Sequence, residues 1–272
     1  MKIYFNTNTF DGLIKESGIQ VTSMPDEAVL LVLGAKKVDY PKFISLKSVY
    51  RFGVGSDNID FDFLKKRSVP VYFPSEKTKN ILYDSTANFT VYGILSCLYQ
   101  GAFGDIDSWK KKKRDYIGNN TALVIGLGNI GNRVAAKLKP FMKVKTYDTL
   151  HNRIEELKPL IETADVITVH IPLNNETENF FDAIKLSWVK DEALIVNTAR
   201  GALFNEDALY EKLKNTHCRA FFDVFWKEPY KGKLKELGSD KFFMTPHSAS
   251  NTKEFIQEGF NDILNILEGL GK

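Results

Sequence analysis

The segment from Ala122 to Leu138 constrains this chain more than any other. An apolar run, Ala122–Ile125, enters a glycine-rich turn, Gly126–Gly131 (GLGNIG), and a helical pattern, Ile130–Leu138, leaves it. A buried strand feeding a tight turn and then a helix is the opening of a parallel βαβ unit. Each glycine has its own reason. Gly126 permits the turn, Gly128 lets a phosphate approach the backbone, and Gly131 lets helix and strand pack closely. Free N–H groups at the helix start, with the helix dipole, favour an anion there. A dinucleotide site also needs an acidic residue about 20 positions on, at the end of the second strand. Asp148 stands there, after Val144–Tyr147. Its carboxylate would accept hydrogen bonds from a ribose 2′-hydroxyl and repel a 2′-phosphate. Thr149 follows, with no adjacent arginine to hold such a phosphate. NAD is therefore expected rather than NADP. Alone, Asp148 would read as a turn carboxylate, but strand, loop and spacing together favour the cofactor.

The rest of the chain supports this frame. Its 272 residues are 43% apolar, enough for two domains, and short apolar runs alternate with helical patterns. Strands are expected at Lys2–Phe5, Ala28–Leu33, Ser48–Phe52 and Val69–Phe73, with a short helix Phe61–Arg67 capped by Asp60. A second series begins at Ala122–Ile125 and continues through Val144–Tyr147, Val166–Ile171, Ala193–Thr198, Ala220–Phe225 and Phe242–Thr245. Helices are expected at Arg153–Thr163, at Glu206–Lys214, and over about Ser85–Gln100 between the two series. Thr252–Leu270 carries Phe255, Ile256, Phe260, Ile263, Leu264 and Leu267 on one helical face. Net charge is only +3, which does not point to nucleic acid, and the basic run Lys110–Arg114 reads better as a solvated connector. The two cysteines, Cys97 and Cys218, form neither a disulfide scaffold nor a zinc motif, so no metal is expected. With no apolar leader or spanning run, a cytoplasmic protein free of membrane contact is expected.

In open parallel sheets, ligands sit beyond the carboxyl ends of the strands. Three polar residues follow three strands there: Arg200 after Ala193–Thr198, Glu228 after Ala220–Phe225, and His247 after Phe242–Thr245. Singly, each has an ordinary explanation: a surface ion pair, a turn before Pro229, a loop histidine. Together they suit hydride transfer on a 2-oxo acid. An arginine clamps a carboxylate and polarises the neighbouring carbonyl. A histidine gives the carbonyl oxygen its proton, and a glutamate beside it favours the protonated ring.

With these residues the chain resembles the D-isomer-specific 2-hydroxyacid dehydrogenases. The resemblance runs through Arg51–Asp60 (RFGVGSDNID), Gly126–Gly131, Asp165–Leu173 (DVITVHIPL), Asn197–Leu203 (NTARGAL), Asp223–Pro229 (DVFWKEP) and Pro246–Ala249 (PHSA). It implies Arg200 as the substrate arginine, His247 as the acid/base and Glu228 as its partner. It implies that Asn129 and Ile130 offer N–H groups to the pyrophosphate. Ile171, Pro172 and Thr177 would line the adenosine side, and Thr198, Ala199 and Asp223 the nicotinamide. Backbone N–H groups of Val54 and Gly55 would take the substrate carboxylate. Arg51 would either bind a second anionic group such as a phosphate or serve the structure. The implied fold is a Rossmann-type doubly wound α/β domain, 89–249, with a smaller flavodoxin-like α/β substrate domain from 1–88 and 250–272. The active site would lie in a cleft between them, in a homodimer. Glyoxylate, hydroxypyruvate and phosphoglycerate-type substrates remain open. Formate dehydrogenases share the fold but carry glutamine at the Glu228 position. A non-enzymatic NAD-sensing module is the alternative of a different class. Two departures stand out: Ser75–Asn88 lacks the family's usual turn and helix start, and Trp226 is large for its place.

Overall fold

The computed structural model describes residues 1–99, 107, 109 and 113–271. Contacts divide the chain into two units, Met1–Leu82 with Asn251–Lys272, and Tyr83–Ser250.

The first unit holds one parallel sheet of five strands: β1 (Lys2–Phe5), β2 (Gln20–Val21), β3 (Leu30–Leu33), β4 (Ser48–Arg51) and β5 (Val71–Tyr72). Their order is β2-β1-β3-β4-β5. Every residue of β3 and β4 is buried, as befits central strands covered on both faces. The helix Phe61–Lys66 starts where Asp60 accepts a hydrogen bond from the Phe63 N–H. The C-terminal helix, Lys253–Leu270, capped by Thr252, packs Phe260 and Ile263 in one apolar cluster with Ile3, Leu30, Val32 and Tyr50. Two elements were not expected. β2 is a two-residue edge strand with both residues exposed, and the helix Asp11–Ser17 buries no residue fully. Neither leaves an apolar pattern to read.

The second unit holds six parallel strands: β6 (Thr121–Ile125), β7 (Lys143–Tyr147), β8 (Val166–Val169), β9 (Leu194–Asn197), β10 (Arg219–Phe222) and β11 (Phe242–Met244). All six fall within or beside the apolar runs. Their order, β11-β10-β9-β8-β6-β7, reverses direction between β6 and β8. That switch point leaves a crevice beyond the strand ends. Helices Asn129–Leu138, Leu157–Thr163 and Glu206–Asn215 link strands as expected, and a further short helix, Ala183–Ser187, is capped by Asp182. The long helix begins at Glu76 rather than Ser85. Ser75 caps it, its Oγ accepting from the Thr78 N–H, and the polar start Glu76–Asn80 hides the helical period. Both sheet faces are covered by apolar clusters, one of which stacks Phe181 on Phe204.

Of the basic run, Lys110 to Lys112 lie outside the described residues, while Lys113 and Arg114 are exposed. Among the described residues no helix is long and apolar enough to cross a membrane.

Candidate active site

β6 delivers the chain into the glycine turn at the switch point. Gly126 sits at φ +90°, and a Cβ there would lie 2.7 Å from the His170 carbonyl oxygen. A Cβ on Gly131 would lie 1.8 Å from the Gly126 carbonyl oxygen, so helix and turn touch at a distance only glycine allows. Gly128 differs: a Cβ there would meet nothing within 4 Å. It opens a cradle in front of the helix Asn129–Leu138. The first N–H groups of that helix, Asn129 and Ile130 among them, precede any intrahelical acceptor. The carboxylate of Asp148, just past β7, accepts from the Leu127 N–H at 2.7 Å and the Leu150 N–H at 2.9 Å. These two bonds hold its pKa below the usual carboxylate value. Asp148 is thus a turn carboxylate that also presents an ionised acceptor beside the cradle. Open space, helix N–H groups with no intrahelical acceptor and a fixed anion together fit a dinucleotide.

The acid/base pair forms at the far strands. His247 Nδ1 lies 2.9 Å from one Glu228 carboxylate oxygen and 3.1 Å from the other. An ionised carboxylate only accepts, so Nδ1 carries the hydrogen and Nε2 is left to exchange a proton. Burial pushes the Glu228 pKa up. The hydrogen bond and charge of His247 outweigh this, aided by the Phe225 N–H and Arg200, so the carboxyl stays below its usual value. His247 has φ +53°, an uncommon backbone state for a residue with a side chain. Buried Asp223 holds that turn. Its carboxylate accepts from Thr245 Oγ1 at 2.6 Å, Ser248 N–H at 2.7 Å and Ala249 N–H at 2.9 Å. Its own carbonyl accepts from the His247 N–H at 2.9 Å. Burial nevertheless raises the Asp223 pKa.

Arg200 stands three residues past the end of β9. Asn197, buried at the strand end, donates to the Arg200 carbonyl at 2.8 Å and accepts from the Ala199 N–H at 3.0 Å. The structure therefore brings Arg200, Glu228 and His247 to one sheet edge. The expected nicotinamide residues divide: Thr198 turns its hydroxyl to Thr90 at 2.8 Å, and Asp223 spends its carboxylate on the His247 turn. Beyond β8, Ile171 and Pro172 lead into a turn closed by Thr177, whose hydroxyl donates to the Pro172 carbonyl at 2.6 Å. Trp226 packs locally, its Nε1 donating to the Phe204 carbonyl at 2.7 Å. In the first unit, Val54 is exposed and Gly55 partly so, whereas Arg51 is 5% exposed. Among the described residues no group of His, Cys, Asp or Glu could hold a metal ion.

Sequence reasoning passed over Asn197 and Thr245. Asn197 ends the buried strand β9 and Thr245 follows the edge strand β11, and that position was their only signal.

Residues 100–249 match the NAD binding domain of the D-isomer specific 2-hydroxyacid dehydrogenases. The chain is 31% identical over 251 residues to the hydroxypyruvate reductase of Thermotoga maritima, covering 85% of this chain and 80% of that one. It is 31% identical over 260 residues to the D-3-phosphoglycerate dehydrogenase of Methanocaldococcus jannaschii, covering 89% of this chain but only 49% of that one. In fold it is similar to an NAD-dependent formate dehydrogenase from Staphylococcus aureus, solved in complex with NAD. The TM-score there is 0.80 at 24% identity, over 100% of this chain and 96% of that one. With the glycine cradle, the acid at the end of β7 and the Glu228–His247 pair all in place, the chain belongs to the D-isomer specific 2-hydroxyacid dehydrogenase family.

Proposed function

We propose that this protein uses NADH to reduce a small 2-oxo acid to its D-2-hydroxy acid, and catalyses the reverse reaction with NAD. The hydrogen bond between Glu228 and His247, 2.9 Å long at the ligand edge of the sheet, carries this reading. Glu228 holds the Nδ1 hydrogen, which leaves the proton on Nε2 for the carbonyl oxygen of the substrate. Arg200 binds the substrate carboxylate and polarises the adjacent carbonyl. The Val54 and Gly55 N–H groups take the same carboxylate. Asn129 and Ile130 bind the pyrophosphate and Asp148 the ribose hydroxyls. Ile171, Pro172 and Thr177 line the adenosine, and Thr198, Ala199 and Asp223 shape the nicotinamide end. The cofactor, when bound, supplies or accepts the hydride.

Similarity to a hydroxypyruvate reductase over most of both chains supports a substrate of the hydroxypyruvate or glyoxylate type. The phosphoglycerate type is supported by a relative of which this chain spans about half. We further propose a cytoplasmic homodimer. The family resemblance supports the dimer, and two buried free thiols, Cys97 and Cys218, suit a reducing compartment. Light scattering of the purified protein would test the dimer.

The test of function is NADH oxidation with glyoxylate, hydroxypyruvate, pyruvate, phosphohydroxypyruvate and a bulky aryl 2-oxo acid. One clear favourite is expected. NADH binding without turnover on any of them would overturn the enzyme reading in favour of a sensor.

A further inference from the structure

The loop after β4 is built around a side chain that does not face solvent. The Arg51 guanidinium donates through Nε to the Gly55 carbonyl at 2.7 Å. Its Nη1 donates to the carbonyls of Phe52 at 2.7 Å, Gly34 at 2.9 Å and Leu33 at 3.1 Å. Gly53, at φ +127°, lies so close that a Cβ there would stand 3.4 Å from the guanidinium. Asn58 closes the other end of the loop, its Nδ2 donating to the Gly34 carbonyl at 2.8 Å and to those of Ala35 and Lys36 at 3.2 Å.

This arrangement sets the direction of the loop's amides. In a trans peptide the N–H of one residue points opposite to the carbonyl before it. Drawing the Phe52 and Gly55 carbonyls onto the guanidinium therefore turns the Gly53 and Ser56 N–H groups away from it. Between these two fixed peptides lie the N–H groups of Val54 and Gly55. Among the described residues, the Gly53, Val54 and Gly55 N–H groups donate to no backbone acceptor. Successive N–H groups with no backbone acceptor, on a clasped loop, suit one carboxylate.

We infer that Arg51 is the positioning residue of this carboxylate loop and does not read a second anionic group on the substrate. The inference rests on the proposed function, since it takes the loop's ligand to be the carboxylate of a 2-oxo acid. Arg51 then serves every 2-oxo acid alike, through the group they share. Lysine cannot replace it, because one ammonium lacks the planar fork that meets carbonyls on two sides.

The first test is amide hydrogen exchange in wild type, Arg51→Lys and Arg51→Ala. Both variants are expected to speed exchange at the loop's two bonded ends, Phe52, whose N–H donates to the Leu33 carbonyl at 3.0 Å, and Ile59, whose N–H donates to the Ser56 carbonyl at 3.0 Å, and to leave residues 121–138 unchanged. Unchanged exchange at Phe52 and Ile59 would overturn the clasp, and this readout requires no turnover. The second test compares glyoxylate with phosphohydroxypyruvate. Both variants should lose about tenfold or more in kcat/KM on each substrate, by the same factor and through KM, with NADH affinity unmoved. A loss on phosphohydroxypyruvate about tenfold greater than on glyoxylate would assign Arg51 to the phosphate and overturn the inference. Should removing Arg51 unfold the unit, Gly53→Ala keeps the arginine and strains the same loop. It should give the same equal loss, and a loss confined to one substrate would count against the clasp. Wild-type silence on every 2-oxo acid would remove the proposed function, while exchange would still decide the clasp.

Discussion

The two sheets wind their first five strands in the same order, β2-β1-β3-β4-β5 in one unit and β7-β6-β8-β9-β10 in the other. They finish the loops at their ligand edges by different means. In the larger unit the backbone makes the site: glycines bring turn and helix together, and a ten-residue helix begins with N–H groups that have no acceptor within it. In the smaller unit, side chains make the backbone present itself. Arg51 and Asn58 reach across to residues 33–36 and hold the loop from behind. On the proposed reading, one winding serves two anion sites, one written in glycine spacing and one in long-range hydrogen bonds.

The variant with the largest expected effect breaks the larger unit's chemistry without touching either anion site. His247→Asn should reduce turnover by roughly 10²–10⁴ and leave NADH affinity unchanged, as single-turnover and fluorescence measurements would show. Near-normal turnover would remove His247 from its role. Gly131→Ala tests the backbone-built site. Its Cβ would overlap the Gly126 carbonyl, and NADH affinity should fall by about tenfold or more. Asp148→Ala should weaken NADH binding by about tenfold and narrow the preference over NADPH, because it removes both an acceptor and a repulsive charge.

Glu228→Gln should act mainly on the acid side of stability. The hydrogen bond and charge of His247 hold the glutamate's pKa below its usual value. The pair's contribution is therefore full above the usual carboxylate range and is lost as pH falls through the lowered value. In denaturant unfolding the variant should lose that part of the acid dependence. An unchanged acid limb would contradict the coupling. The smallest expected effect belongs to Thr90→Val, which removes the hydroxyl bonded to Thr198 and should cost about 1 kcal/mol in denaturant unfolding.

How much of this was legible in the sequence follows from the same contrast. The glycine cradle, Asp148 and the strands β6 to β11 could be read because local spacing encodes them. Arg200, Glu228 and His247 could be placed on one edge because all six strands run parallel. What Arg51 does could not be read. Two of its acceptors, Leu33 and Gly34, lie on the neighbouring strand and just past it, and only the fold brings them together. Nor could the bonds that Asp223 makes be seen. A carboxylate next to a strand end looks available, and only the structure shows its oxygens taken by Thr245, Ser248 and Ala249. The early start of the long helix was hidden for a third reason: a serine cap followed by a polar first turn carries no apolar period.

The most direct test follows the transferred hydrogen itself. Reduced cofactor carrying deuterium at both C4 positions of the nicotinamide, turned over with hydroxypyruvate, should leave one deuterium on C2 of a product that is wholly the D isomer. Product of the L isomer, product without the label, or bound NADH with no product from any 2-oxo acid would contradict the account.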